Sequence, residues 1–86
     1  MELKDTISLM TSADYKERFI AEYLQVKIRY NKLLSMLMKW DKGKLDFKPS
    51  VPRMFYNRQI VSMIDYIKVL EERAKIEKID LEKYKI

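Results

Sequence analysis

The only glycine of the chain, Gly43, and its only two prolines, Pro49 and Pro52, all fall between positions 43 and 52. A strand protein needs turn residues roughly every 8–12 positions. An 86-residue sandwich or barrel could not be turned with three such residues gathered in one place. An all-β fold is therefore excluded, and the chain is expected to be mostly helix.

The apolar pattern agrees. Phe19, Tyr23, Val26, Tyr30, Leu33, Leu37 and Trp40 recur at alternating intervals of four and three, which keeps them on one side of a helix. A second stripe, Ile20, Leu24, Ile28, Leu34 and Met38, lies beside the first and widens the apolar face beyond what one partner helix covers. Thr11 and Asp14 have the spacing of a capping box, so helix 1 is predicted over about 13–41. Gly43 stands where a left-handed cap residue is wanted, and residues 42–52 read as a stiff linker on which Leu45 and Phe47 dock back. Pro52 suits the first helical position of helix 2, predicted over about 53–78 with its own stripe of Tyr56, Ile60, Met63, Ile67, Leu70 and Ala74.

The expected fold is thus all-α. It is an antiparallel two-helix hairpin over residues 11–80, preceded by an extension (1–10) and followed by a tail (81–86) frayed or docked by Leu81. Leu3, Ile7 and Met10, spaced four and three, give the extension a short helix of its own that could cover part of the apolar surface the hairpin leaves over. Ile20, Leu24, Ile28, Val61, Ile64 and Val69 would stay wet in a lone hairpin, so a homo-oligomer is expected.

Composition narrows the chemistry. Without cysteine or histidine, the chain has no thiol nucleophile, no zinc site of the usual kind and no imidazole base. No metal and no cofactor are expected. Carboxylates such as Glu17 with Glu22 are badly spaced for paired acid and base work, and no glycine-rich loop cradles phosphate. All-α chorismate mutases of this size bind a dianion with Arg and Lys from long helices, but their third substantial helix and internal arginine array find no counterpart here. The chain is not expected to be an enzyme. No apolar run resembles an export signal or a membrane span, which predicts a cytoplasmic protein.

Charge is regional. Residues 27–58 carry nine cations and two acids, Asp41 and Asp46, whereas the rest of the chain is slightly acidic. Such a zone points to an anionic partner, or else only to solubility. On helix 1, Tyr15, Arg18, Tyr23, Lys27, Arg29, Tyr30 and Lys32 interleave rings with cations, the pattern that stacks bases and meets phosphates. Tyr23 and Tyr30 also lie on the main stripe and read first as core, while Tyr15, Arg18 and Lys32 do not. Duplex DNA fits less well, since no helix-turn-helix spacing is present.

The run Asp14-Tyr15-Lys16-Glu17-Arg18-Phe19, with Glu22-Tyr23, Lys27, Arg29-Tyr30 and Lys32-Leu33, then Trp40-Asp41, Leu45 to Pro49, Pro52, Gln59, Met63, Tyr66 and Val69 to Ala74, resembles a family of small uncharacterised phage proteins related to a crAss-like phage protein. It is more distantly similar to the helical-hairpin domain of anti-CBASS and Thoeris anti-defence sponges. The resemblance implies a phage protein in the host cytoplasm that sequesters a cyclic nucleotide immune signal without turnover, its ligand held between protomers. It gives the stacking role to Tyr15 or Tyr30 and the phosphate role to Lys32 with Arg18 assisting; Arg29 completes the candidate ligand set. Family members begin near Met10, which makes residues 1–9 an extension. Two other readings use the same residues: an interaction module that docks its basic region on an acidic host protein or blocks the nucleic-acid channel of a nuclease, and a coiled-coil assembly factor.

Overall fold

A computed structural model describes residues 1–84. Among them all regular structure is helical, with no strand. A 3-10 turn, Leu3–Thr6, runs into a short helix α1, Ile7–Met10, followed by α2, Tyr15–Asp41, and α3, Arg53–Glu77. Tyr15 meets Glu77 at one end and Trp40 meets Tyr56 at the other, so the two long helices are antiparallel. At about 1.5 Å per residue, the 27 residues of α2 account for the 43 Å long axis.

The helix ends differ in detail from the capping expected of them. Asp14, not Thr11, caps α2, accepting from the Lys16 N–H at 2.9 Å. Thr11 belongs instead to the end of α1, where its hydroxyl donates to the Ile7 carbonyl, and Ser12 fixes the turn by accepting from the Asp14 N–H. Gly43 does adopt the left-handed conformation, with φ of 67°. Around it the Gly43 and Lys44 N–H groups return to the carbonyls of Trp40 and Lys39, satisfying two of the free acceptors at the helix end. Pro52 precedes α3 as its cap in extended conformation, and Arg53 takes the first helical position. The end of α3 repeats the glycine cap with a lysine. Lys78 sits at φ 58° while the Ile79 N–H bonds the Ala74 carbonyl, which tucks the Ile79 side chain into the core.

The core joins Phe19, Ile20, Tyr23 and Leu24 of α2 to Ile67, Leu70 and Ala74 of α3, and Leu81 and Tyr84 of the tail pack on its edge. Docking of the tail through Leu81 holds as far as Tyr84; residues 85–86 of the predicted tail lie outside the described residues. The expectation that Ile20, Leu24 and Ile28 stay wet in a lone hairpin is corrected, and the expected cover by the N-terminal helix accounts for it. All three are buried within the single chain, because the N-terminal segment lies across α2. Thr6 is its fully buried anchor, donating to the Leu3 carbonyl and accepting from the Gln25 amide at 2.9 Å. Leu3 and Leu9 turn inward with Thr6, whereas Ile7 and Met10 of the expected stripe remain exposed. On α3, Val61 and Val69 remain exposed as expected.

Candidate functional site

The five residues proposed for ligand contact are all on α2, and one chain does not gather them. Tyr15 and Lys32 stand about 25 Å apart along the helix axis. Tyr15 is half-exposed and already engaged: its hydroxyl donates to Glu77 at 2.7 Å and accepts from Arg73 at 3.1 Å. The bond to Glu77 raises its phenol above the ordinary value. The Arg73 guanidinium in turn lies 4.8 Å from the centre of the Phe19 ring. Arg18 donates to the Ser12 carbonyl at 2.8 Å and so braces the turn before α2. Tyr30 is half-buried and packs on the hairpin core.

Arg29 and Lys32 are different. Both are exposed, and among the described residues neither forms an ion pair. Three residues apart, they are neighbours on the helix surface, so two unneutralised charges stand side by side. The one acid of α2 that shares this side, Glu22, is occupied by the Tyr66 hydroxyl. Continuing along the same side by steps of four, Met36 and then Trp40 follow Lys32, so this side of α2 leads from the two cations to the turn of the hairpin.

At that turn lies a groove of about 690 Å³ lined mainly by Trp40, Leu45, Phe47, Lys48, Pro49 and Val51. Its size falls within the range of small-molecule sites, and its walls are mostly apolar with the cation Lys48 among them. Arg53, next after the lining residue Pro52, holds the Trp40 wall. Its guanidinium bonds Asp41 at 2.7 Å and sits 5.1 Å from the centre of the Trp40 ring, which Tyr56 meets edge-on. Asp41 is held below its usual carboxylate range by the Arg53 bond, which removes one of the two acids of the basic zone from play. Trp40 is thus already covered. Phe47 is 54% exposed, contrary to the expectation that it docks on the hairpin, and it is the ring left available to a guest. The segment bends at Asp46–Phe47 and again at Ser50–Val51, and Phe47 takes no part in the buried core. Sequence reasoning missed Phe47 and Lys48 as contacts; the available signal was an aromatic ring between Asp46 and Lys48 outside any helical stripe.

A second groove, of about 580 Å³, lies beside the tail between Tyr23, Lys27, Lys75, Ile79, Asp80 and Tyr84. Its two lysines are outnumbered by Glu71, Asp80 and Glu82, a poor balance for an anion. Burial and the Glu71 bond push the Tyr23 phenol up to about 12. Among the described residues no group of side chains could hold a metal ion, and no helix is long and apolar enough to cross a membrane.

A family model described as Sequestin matches residues 13–76, a description that suggests sequestration of a molecule. No curated protein and no solved structure matches the chain. The matched span contains the Arg29 and Lys32 pair and the whole of the turn groove, whereas the groove beside the tail takes half of its walls from beyond residue 76.

Proposed function

Because the chain belongs to the Sequestin family, we propose that it is a phage-encoded anti-defence sponge, which binds a cyclic nucleotide immune signal in the host cytoplasm and sequesters it without turnover. The observation that carries this reading is the coincidence of the family match with a basic zone in which Arg29 and Lys32 form no ion pair among the described residues. A cyclic nucleotide offers flat rings and fixed negative charge. An exposed ring with Lys48 beside it suits the first, and adjacent unpaired cations suit the second.

Phe47 takes a base in the turn groove, with Lys48 at its edge, and Lys32 and Arg29 meet phosphate further along α2. Since Lys32 stands roughly 12 Å from Trp40 along the helix, a compact ligand that engages both is held between protomers of a homo-oligomer. Tyr15 or Tyr30 takes the stacking role, and Arg18 the assisting phosphate role, that the resemblance gives them only if a second protomer brings them to the same ligand.

Isothermal titration against a panel of cyclic di- and trinucleotides and cyclic ADP-ribose isomers tests the reading. Sub-micromolar binding of one class, with intact ligand recovered on denaturing the complex, is the expected result. A well-folded protein that binds none of them, or that releases a cleaved product, overturns it.

A further inference from the structure

The outer side of α3, turned away from α2, carries a stripe that nothing among the described residues covers. Met54 and Val61 are each 59% exposed, Val69 52% and Ile76 81%. Their spacing of seven, eight and seven keeps them on one side of a straight helix for six turns. Between them on the same side stand Arg58, Asp65 and Glu72. Four large apolar side chains aligned on a solvated helix face are an interaction signal rather than scatter.

The stripe is symmetric about Asp65. Turned end for end around that position, Met54 falls opposite Ile76, Val61 opposite Val69, and Arg58 opposite Glu72. A twofold axis demands such self-complementarity, since each residue of the patch must meet its counterpart from the other copy. A foreign partner demands no symmetry at all. We infer that two copies of this chain pair through the outer faces of their α3 helices, antiparallel and with Asp65 at the twofold axis.

Two apolar layers, each present twice, then flank the axis, and two Arg58–Glu72 ion pairs fix the register. Asp65 meets its own copy, so the axis carries one like-charge contact that holds the association below its maximum. The interface lies opposite α2 and leaves Arg29 and Lys32 uncovered. It does not depend on the ligand proposed above.

The test is a charge exchange followed by sedimentation of the purified full chain, with circular dichroism confirming unchanged helix content. Wild type is expected to sediment as a dimer. Arg58→Glu sets two pairs of acids against each other, and Glu72→Arg sets two pairs of bases; each should weaken dimerisation roughly tenfold or more. Combining Arg58→Glu with Glu72→Arg restores the pairs and should restore the dimer, while Asp65→Asn should tighten it. The chain has no cysteine of its own. Asp65→Cys therefore provides an independent readout, because thiols at the axis oxidise to a covalent dimer. A monomeric wild type, or a dimer that withstands Arg58→Glu and fails to cross-link through Asp65→Cys, overturns the inference.

Discussion

The Tyr23 hydroxyl of α2 donates to the Glu71 carboxylate of α3 at 3.0 Å, at the margin where the hairpin core gives way to solvent. Burial is the larger cause of the rise of this phenol to about 12, and the bond to Glu71 adds to it. The folded value lies above the unfolded value of about 10. The group therefore contributes stability fully at neutral pH, and that contribution is lost as pH rises from about 10 through 12. Ultraviolet titration of the folded protein should show a late phenol step at about 12 from Tyr23. Tyr23→Phe should remove that late step and cost about 1 kcal/mol in a denaturant melt, the net worth of one such bond.

The left-handed lysine after α3 gives a prediction of opposite sign. Lys78 holds a backbone conformation that glycine adopts freely and that costs an L-residue with a side chain roughly 1 kcal/mol. Lys78→Gly should therefore raise stability by up to about 1 kcal/mol, less the entropy that glycine adds to the unfolded chain. Gly43→Ala runs the other way. No atom stands within 4 Å of an added Cβ there, so its cost is conformational alone and should be of similar size. Thermal melts of both variants against wild type measure it.

The long helices were legible because their stripes hold an unbroken period from Phe19 to Trp40 and from Tyr56 to Ala74, and Gly43 marked the stop. That a short N-terminal helix covers part of the second stripe was legible from Leu3, Ile7 and Met10, but which of its residues face inward was not. The N-terminal segment docks through Leu3, Thr6 and Leu9, and a threonine that satisfies its own hydroxyl through Leu3 and Gln25 leaves no apolar signature. The site was half legible. Charge counting located the basic zone, but a cation's freedom from partners depends on pairs such as Arg53 with Asp41, twelve residues apart and joined only by the turn.

That N-terminal cover can be removed. Deleting residues 1–10 uncovers Ile20, Leu24 and Ile28, each worth about 1.5–3 kcal/mol when fully buried. The shortened chain should lose several kcal/mol in a urea melt and bind a hydrophobic dye that the full chain excludes. A milder probe is Leu24→Ala, which leaves a cavity in the fully buried centre of α2 and should cost about 2–5 kcal/mol.

The ligand site makes the sharpest demand, because its residues do nothing for the fold. Phe47 and Lys32 are exposed, Lys32 forms no ion pair among the described residues, and the Phe47 ring is not part of the buried core. Loss of a base-stacking ring costs about 1–3 kcal/mol, so Phe47→Ala should weaken binding of the proposed nucleotide ligand roughly 5- to 150-fold. A charge-assisted bond to phosphate has similar worth, and Lys32→Ala should act to a comparable degree. Melting temperature and helix content should match wild type in both. Arg53→Ala separates groove shape from direct contact: it frees Asp41, uncovers Trp40 and should lower the melting temperature as well as the affinity. If Phe47→Ala and Lys32→Ala both bind as wild type does while Arg53→Ala alone weakens binding, the nucleotide sits elsewhere on the hairpin and the turn groove only supports its shape.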